Sequence, residues 1–222
     1  MAITAPFDNH YGLYEKWFEH NKLTYLSELK AVKHFILSDK KGIEIGSGSG
    51  RFALPLGIRT GIEPSLKMQK LAVSRGMKVI SGVAENLPIT NEAFDFALMV
   101  TTICFLDDIK KSFKEAHRIL KPDGFFIIGF VDKDSPLGKL YSKKKAKSKF
   151  YREAIFYSVS EVIDLLKRTD FDHTEVIQTM FGKSLEDINS VQNWKEGFGE
   201  GSFKVIKAVA KQPATAGEHF PF

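Results

Sequence analysis

Gly46-Ser47-Gly48-Ser49-Gly50 has the composition of a turn that cradles a ligand. Its alternating glycines let backbone pass close to a bound molecule and aim amide groups at it. The spacing excludes the dinucleotide fingerprint, whose third glycine would fall where Arg51 stands. It also excludes a P-loop, because no Gly-Lys-Ser/Thr follows. Taken alone, the turn reads equally well as a structural tight turn. Glu63 follows Gly50 by thirteen residues, at the end of the next apolar run. A carboxylate there can accept hydrogen bonds from both hydroxyls of a ribose, although a solvent-facing acid at a strand end would look the same.

These residues need strands to hold them. Ile43-Glu44-Ile45 reads as a short buried strand entering the glycine turn, and Arg51 to Leu56 as a helical run leaving it. Strands follow at Thr60 to Glu63 and Lys78 to Ser81, with a helix between them from Ser65 to Arg75. Phe94 to Val100 is another strand. Asp107 or Asp108 can cap a helix that carries Ile109, Phe113, Ala116 and Leu120 on one face. Lys121-Pro122-Asp123-Gly124 is turn chemistry, and Phe125 to Val131 is the most strand-like run in the chain. Ser158 and Glu161 have capping-box spacing ahead of a helix that runs to about Arg168. Thr174 to Met180 and Phe203 to Ala210 complete the strands. Upstream, residues 13–37 read as helix, with a break near Asn21. Such alternation predicts a parallel sheet covered on both faces, with ligand at the carboxyl ends of the strands.

The 222 residues suit one domain. No uncharged apolar stretch is long enough for a membrane span, and the N-terminus lacks the pattern of a signal peptide, so a cytoplasmic location is expected. The single cysteine, Cys104, excludes an internal disulfide and any multi-cysteine metal site; no metal is expected. The formal charge of +5 is concentrated between Lys133 and Arg152, where eight Lys/Arg face one acid, Asp134. That segment reads as a solvated face, or as a patch for an anionic substrate, a nucleic acid or an acidic partner.

The ordered series EIGSGSG, GIEPS, AENLPI, FDFALMV and RILKPDGFF, spanning about residues 40–131, resembles the class I S-adenosylmethionine-dependent methyltransferases. The likeness is to the small-molecule, ubiquinone-type group (methyltransferase type 11). It implies an α/β, Rossmann-like three-layer sandwich with a seven-stranded, mostly parallel sheet of order 3-2-1-4-5-7-6, the last strand antiparallel. It implies S-adenosylmethionine as cofactor and S-adenosylhomocysteine as product. Gly46, Ser47 and Gly48 would then line the methionine part, with Glu44 supporting them. Glu63 would hold the ribose. Pro64 and Met68 would border the adenine, Ala84 and Glu85 would meet its edge, and Thr101 would lie under the sulfonium. Many relatives carry a His-His pair where this chain has Cys104-Phe105, so no histidine role is carried over. The expected organisation is one domain over 1–211, with 1–38 as a helical lid, 132–157 as a basic insertion after the fifth strand, and 212–222 as a loose tail.

Aromatic residues crowd the N-terminus: Phe7, Tyr11, Tyr14, Trp17 and Phe18. Tyr11 and Trp17 are assigned to the cofactor side, where ring faces can meet a sulfonium; packing on the sheet is the competing reading. Tyr14, Cys104, Phe105 and Tyr141 are assigned to the acceptor side, with Cys104 a wall residue rather than a nucleophile. Lys143, Lys144 and Lys145 could recruit an anionic acceptor beside Tyr141. No spacing marks a general base; His10, His20, Tyr14 and Tyr141 are no more than possibilities, since a lone histidine is more often structural. A small-molecule acceptor is the leading reading. An RNA or protein methyltransferase and a non-catalytic cofactor-binding regulator stay open, although the Asn/Asp-Pro-Pro-Tyr/Phe signature of base methylation is missing and nucleic acid is disfavoured. Oligomeric state is not legible.

Overall fold

Strand β4 (Phe94–Val100) is buried on both sides: Phe96, Leu98 and Val100 enter one apolar cluster, Ala97 and Met99 the other. That is the signature of a central strand covered on two faces. Residues 3–211 are described by the computed structural model. Flanking β4 on one side are β1 (Gly42–Ile45), β2 (Thr60–Glu63) and β3 (Lys78–Ser81), all parallel. On the other side lie β5 (Leu120–Val131), β6 (Phe171–Thr179), β7 (Lys195–Glu196) and β8 (Phe203–Ala210). The order is β3-β2-β1-β4-β5-β8-β6-β7, and β8 runs antiparallel to both β5 and β6. The expected fold class and the 3-2-1-4-5-7-6 core are therefore present. The eighth strand, β7, adds only a two-residue ribbon to the edge of β6, too short to leave a pattern in sequence.

Helices α1 (Ala5–His20), α2 (Lys22–Lys33) and α3 (Leu66–Ser74) cover one face, together with α5 (Pro136–Lys144). The opposite face is covered by α4 (Ile109–Ile119) and α6 (Val159–Lys167). Their starts are written in side chains. Ser65 accepts from Met68 N at 3.3 Å, Asp108 accepts from Lys111 N at 2.9 Å, and Ser158 with Glu161 closes the expected capping box. Two expectations differ. The N-terminal helix begins at Ala5 rather than residue 13, although its break falls at Asn21 as expected. Arg51 to Leu56 contains only a 3₁₀ turn, Leu54–Leu56, because Pro55 and a left-handed Gly57 stop it. The expected tail after 211 lies outside the described residues. Among those described, no helix is long and apolar enough to cross a membrane.

Candidate active site

The carboxyl ends of β1, β2 and β4 open onto a cavity of about 880 Å³ that is continuous with solvent. The amides of Gly46 and Ser47 both donate to Ile62 O, at 2.8 and 2.9 Å, which turns the glycine loop over the end of β2. Gly46 and Gly48 have φ of +71° and +52°, a region that L side chains rarely adopt. A Cβ on Gly46 would run into the Thr102 side chain, and one on Gly48 would lie 3.0 Å from the Tyr14 hydroxyl. Glu63 Oε2 accepts from Gly48 N and its Oε1 from Ser65 N, each at 2.8 Å. Burial outweighs those two amides and raises the Glu63 carboxyl to about 7, with Asp8 adding to the rise. Thr101, at the end of β4, is a β-branched residue held at φ +51°, a strained conformation of the kind stored at functional sites.

α1 lies across this opening. Ile3, Phe7 and Tyr14 line the cavity. Asp8 Oδ1 accepts from Ser65 Oγ at 2.7 Å and from Lys67 N at 3.2 Å. Further along, Glu15 gathers Ser49, Arg51 and Arg75, tying α1 to the glycine loop and to the end of α3. Burial alone would raise the Glu15 carboxyl, but the hydrogen bonds from Arg75, Ser49 and Arg51 hold it below the usual range. Sequence reasoning did not mark Glu15; an acid one residue after Tyr14 carries no spacing signal.

Opposite the glycine loop the wall is aromatic, formed by Phe7, Phe105, Phe150 and Tyr151. Phe7 packs edge-on against Phe105 at 5.0 Å and tilts on Phe150 at 5.7 Å. Behind this wall a smaller compartment of about 320 Å³ is lined by Cys104, Phe130, Tyr141, Phe156 and Tyr157; Thr101 and Tyr151 border both spaces. Burial pushes the Cys104 thiol up to about 12, so it stays a thiol.

Of the residues singled out in sequence, Gly46, Gly48, Glu63, Pro64, Met68, Ala84, Glu85, Thr101, Tyr14 and Phe105 line the main cavity. Cys104 and Tyr141 line the smaller one. Glu44 sits behind the loop, where its Oε2 accepts from Ala53 N at 3.0 Å. Ser47 is buried against Gly61, and its hydroxyl has no hydrogen-bond partner among the described residues. Glu85 is committed through Oε1 to Asp107 N at 2.9 Å and Asp108 N at 3.4 Å. Tyr11 and Trp17 do not reach either space. Tyr11 is 43% exposed beside Lys67, and Trp17 packs on Phe18 in the apolar cluster. Phe7, Tyr14 and Phe18 share the inward face at ordinary helical spacing, Trp17 lies about a quarter-turn off it, and Tyr11 directly follows a non-helical residue, His10 (φ −126°, ψ 24°). Lys143 and Lys144 are exposed and line neither space, while Lys145 Nζ donates to Ala154 O at 2.5 Å. Phe150 and Tyr151 went unmarked because they lie inside the basic segment, where charge obscured them.

A methyltransferase-domain family matches residues 43–128. An uncharacterized protein of Methanocaldococcus jannaschii is 46% identical over 202 residues, 91% of this chain and 97% of that protein. A crystal structure from Thermotoga maritima, described as a SAM-dependent methyltransferase and possible histamine N-methyltransferase, superposes with a TM-score of 0.90. It is 47% identical, and the match covers 94% of this chain and 99% of that one. The ubiquinone/menaquinone biosynthesis C-methyltransferase of Rickettsia typhi is 31% identical over 141 residues, about half of each chain. Fold, cavity position and these likenesses agree, and the chain belongs to the S-adenosylmethionine-dependent methyltransferases.

Proposed function

We propose that this chain transfers the methyl group of S-adenosylmethionine to a small, nitrogen-bearing acceptor enclosed beneath α1. The observation that carries this reading is one cavity with two unlike walls: glycine backbone and Glu63 on one side, aromatic rings on the other. The residues present suit the donor. Gly48 leaves a cradle that any Cβ would crowd against Tyr14. Each Glu63 oxygen accepts one amide in the free protein, so lone pairs stay available to ribose hydroxyls. Pro64 and Met68 offer apolar surface to a flat base, and Ala84 borders its edge.

When bound, S-adenosylmethionine supplies an electrophilic methyl group; the chain supplies alignment and a dry site. Burial raises the Tyr14, Tyr141 and Tyr151 hydroxyls, so all three stay protonated and act as hydrogen-bond donors, not bases. Among the described residues, the only carboxylates lining the two spaces are Glu63 and Glu85, both on the proposed donor side. An acceptor therefore enters as the neutral nucleophile. Only the neutral form offers the nitrogen lone pair that attacks the methyl carbon. The Thermotoga maritima neighbour, described as a possible histamine N-methyltransferase, supports a nitrogen acceptor of this kind. A nucleic acid or protein acceptor gains no support, because Lys143 and Lys144 lie outside both spaces.

The test is transfer of labelled methyl from S-adenosylmethionine to a panel of small amines and heterocycles at pH 7 to 9. Labelled N-methyl product is expected from at least one. Donor binding without turnover on any of the panel would contradict the reading.

A further inference from the structure

Three rings form a stack at the junction of the two spaces. Tyr151 lies nearly parallel to Phe105, at 5.8 Å and 11°, and nearly parallel to Tyr141, at 5.5 Å and 17°. Phe105 and Tyr141 each stack on Tyr151, and among the described residues no ring contact joins them to each other. Among the described residues, only Thr101 and Tyr151 border both spaces. Its hydroxyl makes no hydrogen bond among the described residues, which weakens its hold on the position. The backbone around it is a run of turns. Ser148 Oγ accepts from Phe150 N and Tyr151 N, Ala154 N donates to Tyr151 O, and Lys149, Arg152 and Glu153 face solvent.

From this stack we infer that Tyr151 occupies the acceptor's own slot: a flat aromatic acceptor displaces it and inserts between Phe105 and Tyr141, joining the two spaces into one. The inference rests on the proposed small-molecule reading and adds the shape of its substrate. An intruding planar ring regains the two face contacts that Tyr151 gives up, whereas a saturated ring of similar size presents no π-face. Displacement costs mainly the rearrangement of a surface turn. A planar heterocycle or aryl amine also keeps its nitrogen neutral near pH 7, as the acid-free acceptor wall demands. The small compartment, with the Tyr141 hydroxyl and the Cys104 and Phe156 side chains, then takes the acceptor's distal end.

The experiment uses the full chain saturated with S-adenosylhomocysteine. The probes are aniline, indole and quinoline, all neutral near pH 7, with cyclohexanol as the neutral saturated control. Removing an internal competitor raises apparent affinity by the inverse of the open fraction. Tyr151→Ala should therefore bind at least one aryl probe roughly fivefold or more tighter than the unsubstituted protein, with less than about a twofold gain for the cyclohexyl probe. Adding Tyr141→Leu should cancel the gain. In the unsubstituted protein, an aryl probe should speed tryptic cleavage after Lys149 or Arg152, and the cyclohexyl probe should not. That second readout decides the matter if Tyr151→Ala fails to fold. Equal or weaker aryl binding by Tyr151→Ala, equal gains for both probe types, or cleavage that aryl probes leave unchanged or slow, would overturn the slot. Failure to bind S-adenosylhomocysteine at the outset would instead overturn the function reading.

Discussion

The two walls of the cavity are made in different ways. The wall proposed for the donor comes mainly from backbone: the Gly46–Gly50 loop, the end of β2 and the loop after β3, all within one contiguous stretch of chain. The acceptor wall comes from side chains on three distant segments, α1, the turn after β4 and the segment around Phe150 and Tyr151. Backbone walls tolerate few residue types, because glycine conformations and a strand-end acid are required. Side-chain walls need only apolar bulk, so they can change substrate while the donor site stays as it is. Substitutions on the two walls should therefore separate donor binding from acceptor binding.

The largest effect is expected at Gly46. Gly46→Ala places a Cβ against Thr102 in a left-handed backbone, so S-adenosylhomocysteine affinity should fall by about two orders of magnitude by calorimetry. A loss below fivefold would show that the loop does not set the donor wall. Next comes Glu63, whose carboxyl burial raises to about 7. In the proposed donor site the ribose hydroxyls would donate to its ionised form, so protons would compete with the donor. Affinity should rise by up to about tenfold from pH 6 to pH 8, and the slope should vanish in Glu63→Gln. A slope that survives in Glu63→Gln would assign it to another group.

A smaller effect is expected where α1 is fastened. Glu15→Ala removes the acceptor shared by Ser49, Arg51 and Arg75. It should speed S-adenosylhomocysteine dissociation roughly threefold to tenfold in stopped flow and lower Tm by on the order of 3–6 °C. Unchanged dissociation would mean that α1 does not cover the donor. At the bottom of the scale, Tyr11→Ala should alter donor affinity by less than about twofold, since its ring faces solvent beside Lys67. A tenfold loss would restore Tyr11 to the donor wall.

That the glycine loop, Glu63 and Ala84-Glu85 line one cavity was legible because each leaves a local mark. Three glycines, an acid at the next strand end and the Ala84-Glu85 step each leave a mark within a few residues. The sheet order was legible for the same reason, through alternating strands and helices. The exposure of Tyr11 was not: α1 carries a non-helical residue, His10, directly before it, and no residue type announces that break. Nor was the ring stack, because Phe105, Tyr141 and Tyr151 meet only after β5 and α5 have folded back across β4.

Titration of the full chain with S-adenosylmethionine and S-adenosylhomocysteine by calorimetry tests the central claim most directly. One site per chain with a dissociation constant on the order of 1–100 µM is expected for both. No heat from either up to millimolar concentration, in protein shown to be folded, would contradict the account.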